Sequence, residues 1–326
     1  MTGFARIGLL LATIAGLAVA IWVFGTIGLA GMAAVAARLG IVGFLLYCLY
    51  SAIVFVLLGA AWLAAAPGEP ASRLGRFVWA RVIREAVADL LPFSQIGGIV
   101  VGARSLTVAG LAAPRVYASL VVDMTTEMAS QLVLTAYGIA MTATILSVGP
   151  RAATLRPLIL GGGALMVAIT ATIFLAQRHL PTMAAGLARR ILPGSAAAMA
   201  AMGGELTRIY AHRRHVALAF ALNLAAWIVS AAGAWIVLRL IGIELSIRTA
   251  LTIESLIFTL RSVAFAIPGG IGVQEAAYLL VGPLFGLPPE TTLALALAKR
   301  ARDVAIGLPA LLIWQAGEVR AMVVNR

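Results

Sequence analysis

The chain has 326 residues, of which 62% are apolar and 11% are charged, and its mean hydropathy is +1.05. This balance excludes an ordinary soluble globular domain and predicts a membrane protein. The net charge of +12 comes mostly from short segments between apolar runs, which is the pattern of membrane loops, so no nucleic-acid partner is expected. The single cysteine, Cys48, excludes an internal disulfide framework.

The distance between successive charged residues predicts where the chain crosses the membrane, because a spanning helix needs about 20 apolar residues. Five intervals are long enough for one span each: 6–38, 38–69, 127–151, 156–178 and 215–239. A sixth span is predicted at 290–316, with charges in its first half and an apolar second half. The predicted fold is all-α, a single polytopic membrane domain over residues 1–326.

Two further stretches are too short between charges to span a membrane, and they predict two re-entrant helical hairpins. Each stretch contains a proline followed by paired glycines, which interrupt helices. The residues expected to break the helices are Pro92, Gly97, Gly98, Pro268, Gly269, Gly270 and Gly272.

The two broken stretches match each other in spacing, which predicts an internal repeat. Arg84 lies eight residues before Pro92, and Arg261 lies seven before Pro268. Each stretch leads into a span that holds charged residues. We therefore assign repeat unit one to residues 40–147 and repeat unit two to residues 216–316, with a basic connector at 178–215.

Arginine counts predict the orientation, because positively charged loops stay on the cytoplasmic side. With the N-terminus inside, most loop arginines face the cytoplasm, which places both termini there in a bacterial inner membrane. The connector at 178–215 is expected to lie on the anionic cytoplasmic leaflet. The two broken stretches then enter from opposite sides. Such inverted repeats with broken helices are typical of transporters.

Charged side chains inside predicted spans are the main candidates for function, because each costs roughly 2.5 to 3.5 kcal/mol on insertion scales. Asp123 and Glu127 share one helix face, and we expect this face to pair with the charged face of the sixth span. The candidate substrate-binding residues are Arg84, Arg104, Asp123, Glu127, Arg261, Glu275, Lys299, Arg300, Arg302 and Asp303.

Three roles stay open for these charges. They form buried salt bridges that fix the register of the helices. Alternatively, the arginines bind the phosphate of an anionic lipid headgroup, because a guanidinium offers a planar fork of donors. The carboxylates then hold the arginines in place, or carry protons if transport is coupled.

No catalytic, metal or cofactor site is predicted. His212 and His215 lie three residues apart without further ligands nearby, which is typical of a solvated face. No strand precedes the glycine run at 161–163, so a phosphate loop is not expected. Ser94 and Ser105 have no histidine partner in the membrane segments. We expect no enzyme activity and no cofactor.

One motif is more specific than composition or spacing. Residues 268–275 read proline-glycine-glycine-x-glycine-x-x-glutamate, and an arginine, Arg302, follows in the next span. With this motif the sequence resembles the flippase-like transmembrane region of lysylphosphatidylglycerol synthases over nearly the whole chain. Within that family it is most similar to the hopanoid-biosynthesis-associated membrane proteins.

The first half of the chain departs from the family pattern. Ile99 stands where an acidic residue is usual and Met124 where an arginine is common, although Asp123 and Glu127 keep the acidic positions. These departures leave the headgroup preference of the family uncertain for this chain.

The resemblance implies that the protein moves an anionic or hopanoid- or isoprenoid-related membrane lipid between leaflets. In the synthases a soluble aminoacyl-transfer domain follows the membrane part. These 326 residues hold no such domain, so we expect translocation without synthesis. Two alternatives stay open: a small-solute or ion-coupled secondary transporter, and a non-transporting membrane partner of a lipid-biosynthetic enzyme.

Overall fold

The computed structural model describes residues 29–90, 94–146, 196–263 and 272–324, together with residues 161, 164 and 168. These residues form helices and turns and contain no strand, which confirms the all-α prediction. The α-helices are α1 (Leu29–Ala64), α2 (Leu74–Leu90), α3 (Ser94–Val108), α4 (Ala113–Leu146), α5 (Ala196–Ala211), α6 (Arg213–Leu240), α7 (Ile247–Val263), α8 (Val273–Val281) and α9 (Pro289–Val324). Short 3-10 helices lie at Ala71–Arg73 and Gly282–Phe285.

The chain divides into two compact units, which we call unit 1 and unit 2. Unit 1 contains Met1–Phe55, Trp79–Gly102 and Val229–Arg326, and unit 2 contains Val56–Val78 and Ala103–Ile228. These boundaries do not coincide with the repeat units predicted from the sequence, because residues 79–102 of the first half belong with the second half. The inverted repeat and the number of spans stay predictions.

Among the described residues, two stretches of helix are long and apolar enough to cross a membrane, namely Ala37–Ala64 and Arg213–Leu240. They overlap the intervals 38–69 and 215–239, where charge spacing predicts spans. At the start of the first stretch, helix α1 is interrupted at Gly40, whose backbone has a φ of 60° in the left-handed region.

Apolar side chains are exposed along single faces of α1 and α9. In α1 the exposed fractions of Ile41, Leu45, Leu49 and Ile53 lie between 50% and 70%. In α9, Val304, Leu308 and Leu312 recur every four residues with exposed fractions of 46% to 59%. Contiguous apolar stripes of this kind are unfavourable in water and favourable against lipid chains.

In unit 1, helices α2 and α3 pack closely against each other and against the second half of α9. The apolar contact comprises buried Ile83, Val87 and Leu311, with Val101 and Trp314 at its edge. Gly98 of α3 lies so close to α2 that a β-carbon on it would be 2.4 Å from the backbone oxygen of Arg84.

This contact corrects one prediction about the first broken stretch. Gly97 and Gly98 do not break a helix, because α3 begins at Ser94 and continues through both residues. A glycine inside a helix costs only about 1 kcal/mol relative to alanine, and here Gly98 allows two backbones to approach. Pro92 lies outside the described residues.

We expect Gly98→Ala to lower the free energy of unfolding by about 1–3 kcal/mol, because the new methyl group overlaps a backbone oxygen that cannot rotate away. Gly203→Ala in α5 is the matched control, since nothing lies within 4 Å of its added β-carbon. The free energy of unfolding of this control should rise by about 0.5–1 kcal/mol. Denaturant unfolding in detergent micelles measures both variants, and a gain for Gly98→Ala would contradict the close contact.

In the second broken stretch, α8 begins directly after Gly272, whose φ of 78° lies in the left-handed region. Pro268, Gly269 and Gly270 lie outside the described residues. At its other end α8 leads through the 3-10 helix to Gly286, with a φ of 80°, and then to α9. This short hairpin directs one face of α8 onto the charged first half of α9.

In unit 2, α5 packs against α4 over small and apolar side chains. Buried Ala118 and Val122 of α4 lie in one cluster with Ile209 of α5 and Ala219 of α6. The described part of the predicted connector therefore contains a helix, α5, that packs with one face against the other helices of unit 2. Its position on a lipid leaflet stays a prediction.

Candidate functional site

Three side chains of unit 1 form a buried hydrogen-bonded triad. Lys299 Nζ of α9 donates to Glu254 Oε2 of α7 at 2.5 Å and lies 3.0 Å from the hydroxyl oxygen of Tyr278 on α8. The Tyr278 hydroxyl donates to Glu254 Oε1. All three residues are at most 3% exposed.

Local sequence explains how this triad is held. Ser246 caps α7, because its hydroxyl oxygen accepts a hydrogen bond from the backbone N–H of Thr249 at 3.1 Å. One helical turn after Glu254, Phe258 places its ring centre 5.3 Å from Lys299 Nζ, and the Tyr278 ring centre is 5.5 Å away. The ammonium group therefore contacts a carboxylate and two aromatic rings, which compensates its burial.

A second ion pair links α8 to α9. Arg300 Nε donates to Glu275 Oε1 at 3.2 Å, while the other carboxylate oxygen of Glu275 and Arg300 Nη2 are buried without a hydrogen-bond partner among the described residues. Gln274 donates from Nε2 to the carbonyl oxygen of Ala296 at 3.4 Å, and its Oε1 also has no partner in the described part of the chain. Buried polar atoms left unpaired in this way are costly and are common where a ligand or water binds.

Arg302 lies on α9, three residues after Lys299 of the triad. Its guanidinium donates to Asp303 Oδ1, with Nε at 3.0 Å, and its central carbon lies 5.6 Å from the ring centre of Tyr47 on α1. Tyr47 is 1% exposed, and its hydroxyl group has no hydrogen-bond partner within the ranges that the structure describes. The sequence offered no signal for Tyr47, which is one aromatic residue within a long apolar run.

Arg261, at the other end of α7 from the capping serine, pairs with α2. Its Nη2 lies 3.5 Å from Asp89 Oδ1, and the two side chains are 28% and 19% exposed. Asp89 is also within electrostatic range of Arg302 and Asp303. The Arg261–Asp89 pair therefore lies in the same group of charges as Arg302 and Asp303, and its side chains are more accessible than theirs.

We call these six residues the charged cluster: Arg261 with Asp89, Lys299 with Glu254, and Arg302 with Asp303. Each cation of the cluster has its own carboxylate, so a further anion must compete for an arginine. The Lys299–Glu254 pair is almost fully buried, whereas Arg261–Asp89 is partly open. The cluster therefore contains one buried ion pair, Lys299–Glu254, and one partly accessible ion pair, Arg261–Asp89.

An apolar cleft adjoins the charged cluster within unit 1. Its volume is about 200 Å³, and it is lined by Phe44 of α1, Val237 of α6 and Leu295 and Ala298 of α9, among others. Arg302 follows Ala298 by four residues and Leu295 by seven, so it shares their face of α9. Arg302 does not line the cleft itself, but the face of α9 that lines the cleft also carries this arginine, so apolar and charged contacts for an amphipathic molecule lie along one helix face.

Arg84, predicted to line the site, lies on α2 with Arg81 and Glu85. Arg81 Nε is 3.0 Å from Glu85 Oε1, and Arg84 Nε is 4.0 Å from the same oxygen. Arg81 is 1% exposed, although the predicted set did not include it. Two arginines here share one carboxylate, in contrast to the one-to-one pairs of the charged cluster.

Unit 2 holds the remaining predicted residues. Asp123 is fully buried on α4, and its Oδ1 accepts a hydrogen bond from Asn223 Nδ2 of α6 at 3.3 Å. Glu127, one turn later, is 7% exposed. Arg104 lies on α3 and is exposed. Asn223 was not predicted, although an amide opposite two buried acids is a readable signal in an apolar span.

The predicted pairing of the acids of α4 with the charged face of α9 stays a prediction, and within unit 1 the structure gives other partners to Lys299. Its partners are Glu254 and Tyr278, both within unit 1. Glu254 is not among the predicted site residues. It meets Lys299 because α7 and α9 both pack on the short helix α8, which brings their buried faces together.

Residues 7–310 match the family described as the lysylphosphatidylglycerol synthase TM region. The chain belongs to this family. No match was found among curated proteins or among solved structures.

Membership of the lysylphosphatidylglycerol synthase TM family shows a membrane protein with a lipid-related function. The match includes every residue of the charged cluster and the cleft, since all of them lie between residues 7 and 310. In this family member, the motif glutamate Glu275 contacts Arg300, and the motif glycine Gly272 directly precedes α8.

Proposed function

We propose that this protein is a lipid translocase that moves an anionic lipid between the two leaflets of the bacterial inner membrane, with both termini cytoplasmic and without enzymatic activity. The observation that supports the proposal most is the apolar cleft of about 200 Å³, whose lining residues Leu295 and Ala298 share a face of α9 with Arg302. A phosphate-bearing headgroup fits a guanidinium, and an acyl or isoprenoid chain fits a cleft lined by Leu295 and Phe44.

Each charged pair has a distinct part in this mechanism. The buried ion pair of Lys299 and Glu254 holds α7 and α9 together, because separating two buried charges costs much free energy. Arg261 is 28% exposed and exchanges Asp89 for the incoming phosphate. Arg302 then receives the headgroup at the end of the cleft, while the lipid chain stays in apolar surroundings.

The substrate class follows from the same chemistry. The candidate arginines recognise a phosphate rather than a neutral headgroup, because a zwitterionic lipid brings its own cation. A hopanoid- or isoprenoid-related lipid carrying an anionic group also fits the cleft. Enzymes that synthesise such a lipid are the expected partners.

The test is leaflet exchange of fluorescent lipids in proteoliposomes, comparing phosphatidylglycerol, phosphatidylcholine and an isoprenoid phosphate. We expect Arg261→Ala to slow anionic exchange by at least about tenfold, because charge-assisted hydrogen bonds contribute about 1.5–3 kcal/mol. Arg248→Ala is the matched control, since Arg248 is an exposed arginine at the start of the same helix. It should keep the native rate.

A well-folded native protein that exchanges none of these lipids would contradict the proposal. Equal slowing by Arg248→Ala would also contradict it, because the effect would then be one of general charge.

The charge balance of the cluster supports a second candidate, an ion-coupled transporter of a small solute. Every cluster cation already has a carboxylate, and Asp89 lies within electrostatic range of Asp303. Two carboxylates close to two arginines suit proton exchange. Proton flux through proteoliposomes without lipid exchange would favour this candidate, whereas neither flux nor exchange would favour a non-transporting partner of a biosynthetic enzyme.

A further inference from the structure

A second apolar recess lies in unit 2, separate from the residues of the charged cluster. This groove has a volume of about 420 Å³ and is lined by residues of α4, α5 and α6. Its size is within the range of small-molecule pockets. Its lining surface is almost entirely apolar, with Arg213 as its charged residue.

Arg213 differs in its partners from two other arginines of unit 2, Arg115 and Arg208. Arg115 lies 3.0 Å from Glu69 Oε1, and Arg208 lies 3.3 Å from Glu205 Oε2. Arg213, at the first position of α6, is exposed and makes no ion pair with any acidic side chain in the described part of the chain. Glu69 and Glu205 thus already pair with other arginines, which leaves Arg213 to bind an external anion.

Three residues that line the groove carry a hydroxyl group, namely Thr125, Thr126 and Tyr210. Thr125 Oγ1 donates to the carbonyl oxygen of Val121 at 2.7 Å, and Thr126 Oγ1 donates to that of Asp123 at 2.9 Å. Both threonine hydroxyl protons are used within α4. The α4 side of the groove therefore offers apolar contact, and the polar donors of the lining are Tyr210 and Arg213.

Position along α6 sets the order of polar and apolar contacts. Arg213 begins the helix, and Val216 and Phe220 line the groove one and two turns further on. Seven residues of helix rise about 10 Å, so the apolar part extends that far from the guanidinium. A charged end followed by an apolar channel is complementary to a phosphate with an acyl chain.

We propose that this groove binds an anionic phospholipid of the surrounding bilayer, with the phosphate on Arg213 and an acyl chain along Val216, Phe220 and Ala129. The bound lipid is a resident of unit 2 and is not the translocated substrate. The proposal goes beyond the translocase function and does not depend on it, because its residues lie in unit 2 and those of the charged cluster lie in unit 1.

The experiment titrates the detergent-solubilised full chain with dioleoyl phosphatidylglycerol or dioleoyl phosphatidylcholine and counts bound lipids by native mass spectrometry. We expect Arg213→Ala to weaken phosphatidylglycerol binding by about tenfold, the loss of a charge-assisted contact. Arg214→Ala removes the same charge from the next residue, which is also exposed but does not line the groove. That control should change binding by less than about twofold.

A second pair of variants tests the apolar part without changing charge. Ala217→Trp fills the groove and should abolish the tightest phosphatidylglycerol site, whereas Ala221→Trp, at an exposed position outside the lining, should not. Equal effects within either pair of variants would overturn the proposal, as would equal affinity of the native protein for the two lipids. Leaflet exchange is not measured here, so failure of this site and failure of the translocase are distinguished.

Discussion

Replacing Lys299 with methionine is expected to lower the free energy of unfolding by about 3–5 kcal/mol, because it leaves the Glu254 carboxylate buried without its cation. Lys299 is 3% and Glu254 1% exposed, so water cannot replace the lost partner. Tyr278 still donates one hydrogen bond to Glu254, but a single neutral donor does not balance a buried charge. Thermal and denaturant unfolding in detergent micelles measures the loss.

The surface pair of Arg239 and Glu244 is the matched control for this substitution. Its atoms lie 3.6 Å apart, but the side chains are 48% and 91% exposed. Arg239→Met should therefore cost less than about 1 kcal/mol. The double variant Lys299→Met with Glu254→Gln should recover a large part of the loss, because neither residue of this pair then carries a buried charge. A Lys299→Met protein as stable as the native one would show that this pair does not hold α7 and α9 together.

Replacing Arg302 with lysine is expected to slow leaflet exchange of anionic lipid by at least about tenfold, although the positive charge is kept. Arg302 uses Nε and Nη2 together on Asp303 and stacks on the ring of Tyr47. An ammonium group offers neither the planar fork nor the stacking surface. The exchange assay in proteoliposomes gives the rate, and unfolding in detergent shows that the variant is folded.

Arg239→Lys is a close control, because the Arg239 guanidinium also lies over an aromatic ring, 5.4 Å from the centre of Trp235. It is half exposed and belongs neither to the charged cluster nor to the residues that line the cleft, and its replacement should leave exchange unchanged. If Arg302→Lys kept the native rate, a point charge would be sufficient, and headgroup recognition by the guanidinium fork would be wrong.

The buried hydroxyl group of Tyr47 gives a further check, since Tyr47→Phe should slow exchange without loss of stability if that group binds the lipid.

Several features of the site were readable from the sequence. The charges of α9 stood out because Lys299, Arg302 and Asp303 interrupt an otherwise apolar helix. The motif ending at Glu275 was readable because a proline and glycines define a backbone break in a few consecutive residues. The aromatic residues Tyr278 and Phe258 were not, since an apolar membrane chain contains many aromatic side chains without a functional contact.

By itself, the sequence determined that this is an all-α membrane protein of the lysylphosphatidylglycerol synthase TM family, because hydropathy and charge spacing are local properties that the thickness of a bilayer makes readable. Only the tertiary structure decided which charges meet. Lys299 pairs with Glu254 across 45 residues, and Gly98 is needed for the contact between α2 and α3 rather than to break a helix. The groove beside Arg213 also forms only when three helices pack. Such pairings depend on how helix faces meet, and the spacing of residues along one chain does not specify that.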